Sequence, residues 1–446
     1  MIFRQFVDDD LGCASYLVGD EEVGEALLVD PVYAIEPFLE EAERQHVWLV
    51  RVLETHTHAD HVSGHGRLAL EHGLPVAVHP TAKPEFRFEP LADGDEVEVG
   101  RVALRVLHTP GHRPEHCCFA VIDRSRADEP WLVLTGDSLF VGDAARPDLA
   151  VEGREGAEGM FHSLRRLLEL PDGVEVFPGH VAGSLCGAGM SSKASTTIGF
   201  ERRFNPKLAL GDLQEFVAET ADVATPRPPT TERVVALNRG QFVGAAPALE
   251  RLAEPGDSVV LDARPARAFA AGHVAGAINV PVSVSGFGTK AGFVLSPDET
   301  LVLHAGSAEE AADAAAKLHA VGFFDLAGYL LDPPTPEKVE PVEIEELERL
   351  VAADAVEIVD VREPYERDDG FIPGSRNVPY RTIRALAEEL HNGRPVVTIC
   401  ESGARAGVAA SVLAAAGVDA RPVLEGGIPA WRARGNETTE FRRCGR

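Results

Sequence analysis

Short apolar runs broken by Gly and Asp open the chain. The stretch FRQFVDDDLGCASYLVGDEEVGEALLVDP (Phe3 to Pro31) predicts a series of strands, and IEPFLEEAERQHV (Ile35 to Val47), with apolar positions at helical spacing, predicts a helix after them. Four further apolar runs each end in a polar cluster. THTHADH (Thr55 to His61) follows WLVRVLE, TPGH ending at His112 follows VALRVL, TGD ending at Asp137 follows WLVL, and PGH ending at His180 follows VEVF. Each cluster is therefore expected in a loop just beyond a strand; if those strands share a direction, the loops converge on one edge, where sites in layered α/β proteins are usually built.

The second half of the chain has a different pattern. Short strands (VVLDAR at Val259, EIVDVR at Glu357) alternate with helical stretches such as EEAADAAAKLHAVG and GVAASVLAAAG, as in parallel α/β units. LDARPARAFAAGHVAGAINVP (Leu261 to Pro281) aligns without a gap with VDVREPYERDDGFIPGSRNVP (Val359 to Pro379). The alignment pairs Asp262, Arg264, Gly272, Gly276, Asn279 and Pro281 with Asp360, Arg362, Gly370, Gly374, Asn377 and Pro379. Turn residues and a D-x-R triplet recurring in register mark a tandem duplication. Pro- and Thr-rich breaks at residues 221–230 (ADVATPRPPT) and 332–338 (DPPTPEK) divide the chain. The expected domains are 1–240, 241–334 and 341–446, of which the first is α+β and the other two are α/β with parallel sheets.

Composition narrows the function. The 446 residues carry 42 Lys and Arg against 71 Asp and Glu, a net charge of −29 without an acidic block, which opposes binding to nucleic acid or anionic lipid. No apolar run approaches the ~20 residues of a membrane span. MIFRQFVDDDLG lacks the basic start and apolar stretch of a secretory signal, so a cytoplasmic location is expected. Six cysteines in so long a chain form no disulfide framework, and a special cysteine is expected to be catalytic.

Twelve of the 16 histidines lie within the first 180 residues, so that part carries chemistry the rest does not share. His56, His58, Asp60, His61, His112, Asp137 and His180 are candidate ligands for one or two metal ions, because a strand end and the turn after it can surround an ion with this H-x-H-x-D-H spacing. His46, His65, His72, His79, His108, His116 and His162 are expected to be structural or exposed. Farther on, VVTICESGARAGVAASVLAAAG puts Cys400 at a strand end just before a helix. The backbone N–H groups of Glu401, Ser402, Gly403 and Ala404, with Arg405, could curl around its sulfur and stabilise a thiolate, a persulfide or a bound anion. Cys117, Cys118 and Cys186 are expected to pack, and Cys444 to be incidental.

These motifs carry a resemblance. THTHADH with the later GH, GD and GH elements is similar to the metallo-β-lactamase superfamily, which implies an α-β-β-α sandwich holding one or two metals. TGDSLFVGDAARPDL and PGHVAGSLCGAGMSS are similar to the persulfide dioxygenases of that superfamily rather than to its dizinc hydrolases of the glyoxalase II type or its lactamases. The resemblance implies one Fe(II) per chain on His56, His112 and Asp137. It leaves His58, Asp60, His61 and His180 as outer or substrate-side residues, or as ligands of a second metal in a two-zinc alternative, and makes Arg146 a contact for the thiol carrier. CESGAR, with DVRE before it and EGGIPAW after it, resembles the rhodanese sulfurtransferases, with Cys400 as nucleophile and Arg405 as anion clamp. In the first copy LVLHAGSAEEAAD leaves Ala305, or His304 if the gap falls differently, in place of Cys400, and Glu310 in place of Arg405, which implies an inactive copy.

The whole order resembles the bacterial persulfide dioxygenase and rhodanese fusions of sulfide detoxification. It implies oxidation of a low-molecular-weight thiol persulfide by O2 to sulfite, then conversion of sulfite and persulfide to thiosulfate at Cys400, in a protein expected to be a homo-oligomer. The alternatives are a dizinc thioesterase with a regulatory rhodanese pair, or a sulfur carrier or sensor in which Cys400 relays persulfide to a partner.

Overall fold

A computed structural model describes all residues except 148–150, 182–190, 192, 222–225, 392 and 441–446, so Cys186 and Cys444 lie outside the described residues. The chain forms two compact units, the first of residues 1–226, 231–246 and 320–322 and the second of 227–230, 247–319 and 323–446. The helix Thr231–Arg239, directly after the Pro-rich stretch, thus belongs to the first unit.

Two six-stranded sheets build the first unit. One runs β1 (Ile2–Val7), β2 (Ala14–Asp20), β3 (Glu25–Val29), β4 (Trp48–Leu53), β5 (Val76–Val78) and β6 (Glu89–Pro90) in sequence order. The other comprises β7 (Glu96–Val99), β8 (Val102–His108), β9 (Cys117–Asp123), β10 (Leu132–Gly136), β11 (Glu175–Pro178) and β12 (Thr196–Thr197), also in order. Side chains alternate across each strand, so both faces of a sheet must be covered. Tyr16, Val18, Leu27, Val29, Leu104, Phe119, Val121 and Leu134 form the core between the sheets. On the opposite face of the first sheet, Leu17, Leu28 and Val52 pack with Ile35, Phe38 and Leu68 of the flanking helical segments. On that of the second, Cys118, Val133 and Val176 pack with Met160, Leu164 and Leu167 of the helix Gly153–Leu167. The result is the expected α-β-β-α sandwich.

The four polar clusters do follow strand ends, but not all in one sheet. THTHADH leaves β4 of the first sheet, whereas the loops with His112, Asp137 and His180 leave β8, β10 and β11 of the second. β8 and β10 are each antiparallel to β9, and β11 is parallel to β10, so these three ends point the same way.

The second unit holds two four-stranded parallel sheets of identical order. In one, β14 (Ile278–Asn279), β13 (Val259–Asp262), β15 (Leu301–His304) and β16 (Leu326–Leu330) are neighbours in that sequence; in the other, β18 (Arg376–Asn377), β17 (Glu357–Asp360), β19 (Val396–Ile399) and β20 (Ala420–Pro422). The recurring residues make the same bonds twice. Arg264 donates to Asp262 and to the carbonyl of Gly272, as Arg362 does to Asp360 and Gly370. Asn279 Nδ2 donates to the carbonyls of Asp262 and Arg264, as Asn377 does to those of Asp360 and Arg362. Both motifs tie the strand end to the loop after it, which is why they recur in register. Among the described residues, no helix is long and apolar enough to cross a membrane.

Candidate functional site

His56, His112 and Asp137 come from three different strand ends and meet in the first unit. All three are buried, and one ligand atom from each lies within 4.8 Å of the other two. Their hydrogen bonds orient them. The Thr55 hydroxyl donates to Asp30 Oδ2 at 2.7 Å, so its oxygen receives the Nδ1–H of His56 at 2.9 Å. His112 donates its Nδ1–H to the Arg146 carbonyl at 2.9 Å, because a carbonyl can only accept. Each neutral ring is thereby left with its lone pair on Nε2, the orientation a metal ligand needs. His112 Nε2 lies 3.5 Å from Asp137 Oδ2. Burial lowers the pKa of both imidazoles, reinforced at His56 by the surrounding histidines and opposed at His112 by Asp137, so both rings are neutral at pH 7. Burial acts to raise that of Asp137, but the adjacent His180 outweighs it and holds the carboxyl well below the usual range.

His116, expected to be structural or exposed, positions Asp137. Its Nε2 accepts the Asp137 N–H at 3.0 Å, so its Nδ1–H is directed to Thr109 Oγ1 at 2.9 Å. Burial pushes this imidazole down to about 3, keeping the acceptor lone pair at neutral pH. Gly136 sits between them at φ +45°, where a Cβ would lie 2.8 Å from His116 Nε2 and 2.7 Å from Thr55 Oγ1.

The remaining predicted residues divide into two groups. His58 turns toward a buried acidic pair, with Nε2 3.1 Å from Glu54 Oε2 and 3.3 Å from Asp30 Oδ1. Burial and His61 oppose its charge, but Asp30 and Glu54 prevail and push it up to about 9. Asp60, His61 and His180 gather around Cys13 instead. Asp60 Oδ2 lies 2.7 Å from His180 Nε2, and His180 Nδ1 lies 2.7 Å from Asp137 Oδ1, so this group adjoins the first. Arg146 reaches the site through its carbonyl, as described above.

Sequence spacing missed several contributors. Asn238, on the helix Thr231–Arg239, accepts the Ser63 N–H and donates to the carbonyls of His58 and His61 at 3.0 and 2.8 Å, bracing the THTHADH loop. His65 bonds Glu54 at 3.0 Å, and Asp30 receives both the N–H and the hydroxyl of Thr55 at 2.7 Å. Asp30 has a backbone φ of +50°, a conformation Asp tolerates better than most residues. VDP, an acidic residue at a strand end, was the one available signal for it. Cys117 and Cys118 are packing residues; burial pushes Cys118 up to about 12.

In the second unit Cys400 follows β19 and is buried. The Gly403 N–H donates to its Sγ at 3.1 Å, and the helix Ala404–Ala415 begins at once. Gly403 has φ +109°, and a Cβ there would fall 1.9 Å from the Leu424 carbonyl oxygen. Arg405 makes a two-pronged pair with Glu366 at 2.5 and 2.7 Å, and Glu401 lies 3.5 Å from Arg362. Ser402 is exposed and Ala404 half-buried on the same turn. Strand register places the first copy's counterpart: Asp262 faces His304 as Asp360 faces Ile399, so Ala305, not His304, stands where Cys400 is. Glu310 turns its carboxylate onto the Gly306 N–H at 2.8 Å, filling the loop with an internal anion.

Comparison with known proteins identifies the families of these domains. Residues 8–180 match the metallo-β-lactamase superfamily, and residues 245–332 and 343–434 each match the rhodanese-like domain. A mitochondrial persulfide dioxygenase ETHE1 from Bos taurus is 30% identical over 248 residues, 53% of this chain and 87% of that protein. The Homo sapiens ETHE1 is 28% identical, with the same coverage of each. The crystal structure of a metallo-β-lactamase from Staphylococcus aureus superposes with a TM-score of 0.68 at 30% identity, over 74% of this chain and 98% of that one.

Proposed function

Because this chain belongs to the metallo-β-lactamase superfamily, with the persulfide dioxygenase ETHE1 among its relatives and two rhodanese-like domains behind the first, we propose that it is an iron-dependent persulfide dioxygenase joined to a sulfurtransferase. The observation that carries the reading is the donor set: two imidazoles with oriented Nε2 lone pairs and one carboxylate, all buried and within 4.8 Å of one another. Two His and one carboxylate are the facial ligands of oxygen-using Fe(II) sites. Iron bound there would bring a persulfide sulfur and O2 together. His56, His112 and Asp137 would hold it, while His116 and Thr55 keep the ligands in register. The net conversion is RSSH + O2 + H2O to RSH, sulfite and two protons.

The second step uses Cys400. Its thiolate attacks the outer sulfur of another persulfide, releasing RSH and leaving Cys400 as a persulfide. The sulfur lone pair of sulfite then attacks that outer sulfur; the S–S bond breaks, the electron pair returns to Cys400, and thiosulfate leaves. The Gly403 N–H and the helix start behind it favour the anionic sulfur, and Arg405, exchanging Glu366 for the dianion, holds sulfite.

Metal content of the purified chain, measured alongside O2 uptake on glutathione persulfide admitted from anaerobic to aerobic solution, tests this reading. The expected result is about one iron per chain with oxygen consumption and sulfite or thiosulfate as product. Two zinc ions per chain and no oxygen uptake would overturn it and make the first unit a hydrolase.

A further inference from the structure

The Cys400 loop is shaped to hold an anion, but its guanidinium is already engaged. Arg405, on the first turn of the helix Ala404–Ala415, donates through both terminal nitrogens to the two carboxylate oxygens of Glu366 at 2.5 and 2.7 Å, with only 21% and 23% of the two side chains exposed. Glu366 is fixed from behind as well. It sits on the short turn Pro364–Arg367, and its Oε2 accepts the Glu363 N–H at 2.9 Å. Burial opposes its charge, but the bonds from Arg405 and from the Glu363 N–H outweigh burial and hold the carboxyl below its usual range, so it is an anion at neutral pH.

The other arginines around the loop also face carboxylates. Arg362 lies 2.8 Å and Arg367 3.6 Å from Asp360, and Arg381 lies 3.1 Å from Glu363. An incoming anion therefore meets cations that are each paired already. The duplication shows that the Glu366–Arg405 pair is not a requirement of the fold. In the first copy, where Glu310 replaces Arg405, the position aligned with Glu366 is Ala268. Carboxylate and guanidinium are present together in the copy with the nucleophile and absent together from the copy without it.

We propose that Glu366 is a specificity-determining residue of the Cys400 site, an internal carboxylate that competes with thiosulfate and sulfite for Arg405 and so leaves organic persulfides as the preferred source of sulfur. The inference rests on the sulfurtransferase reading above and adds which donors the site accepts. Two routes load Cys400. Attack of the thiolate on the outer sulfur of RSSH breaks the S–S bond of the donor, forms that of the cysteine persulfide and releases RSH, with no dianion to hold. Attack on the outer sulfur of thiosulfate breaks its S–S bond and expels sulfite with the electron pair, and here a doubly charged ion must first displace Glu366 from Arg405. Hydrogen bonds between charged partners are strong enough that giving them up takes a factor of about 10–100 from the affinity of the ion that replaces them. The same carboxylate serves the forward direction: once thiosulfate has formed, Glu366 re-forms its pair with Arg405 and displaces the product. The equilibrium between the donors is unchanged; what Glu366 sets is how weakly the dianions are held.

Loading of the full-length protein by glutathione persulfide and, separately, by thiosulfate tests this, under anaerobic conditions that keep the first unit idle and with sulfur on Cys400 read by peptide mass spectrometry. We expect half-saturation at a glutathione persulfide concentration at least about 10-fold below that for thiosulfate. Glu366→Gln keeps the acceptor for the Glu363 N–H but removes the charge, and should lower the KM of thiosulfate and of sulfite, relative to that of glutathione persulfide, about 10–100-fold. A wild-type chain that loads from thiosulfate at the lower concentration would overturn the proposal whatever the variant does. So would Glu366→Gln with those KM ratios unchanged, the mark of a structural role. Absence of sulfur on Cys400 with either donor would instead remove the sulfurtransferase reading, and this inference with it.

Discussion

Asp137 is fixed at three points: its N–H is held by His116, one carboxylate oxygen by His180, and the other faces His112. Asp137→Ala therefore should empty the metal site and abolish O2 uptake, while sulfur transfer from thiosulfate at Cys400 continues. Oxygen uptake persisting in that variant would reject the ligand assignment. His116→Ala should leave the chain folded but lower metal affinity about 10–100-fold, the usual cost of losing an outer partner, as read by competitive chelator titration. His116 had no more signal in the sequence than His65 or His108. What separates them is a three-dimensional fact, an Nε2 pointed at a backbone N–H.

Elements reach the site from unexpected places in the chain. The helix Thr231–Arg239 follows a stretch that reads as a linker, yet its Asn238 saturates three backbone groups of the THTHADH loop. Removing those bonds in Asn238→Ala leaves buried polar groups unpaired, at about 1–3 kcal/mol. The expected result is a lower thermal midpoint with weaker metal binding, measured by calorimetry and chelator titration, and unchanged transfer at Cys400. A second element-scale prediction concerns His319, on the helix Ala308–Ala320, stacked on Phe324 with burial pushing it down to about 4. The unfolded chain takes up a proton near pH 6.5 that the folded form refuses until about pH 4, so this histidine costs stability progressively as pH falls between those values and nothing above them. His319→Phe should flatten the slope of unfolding midpoint against pH across that window; an unchanged slope would contradict it.

At the scale of the whole molecule, the His56–His112–Asp137 set and the Cys400 loop occupy separate compact units, so losses of the two proposed chemistries should separate. Cys400→Ala is expected to consume O2 at close to the wild-type rate and accumulate sulfite in place of thiosulfate, seen by product chromatography; loss of both activities would contradict independent sites. How much of this was legible in advance follows from the range of the interactions. Alternating and helical apolar spacing, turn residues and the Asp-x-Arg repeat act over a few residues, so the duplicated parallel sheets, the strand-end placement of His56, His112, Asp137 and His180, and the Cys400 loop could be read from the chain itself, whereas the sandwich was implied by the resemblance that THTHADH and the later GH, GD and GH elements carry. Which donors share an ion, and how each ring is turned, depends on partners scattered across the chain. Pairing His58 with Asp30 and Glu54, setting Cys13 beside His180, resolving Ala305 over His304 and turning Arg405 onto Glu366 were decided only by tertiary structure. Hydrogen bonds and ion pairs depend on distance and direction in space, and sequence separation carries neither.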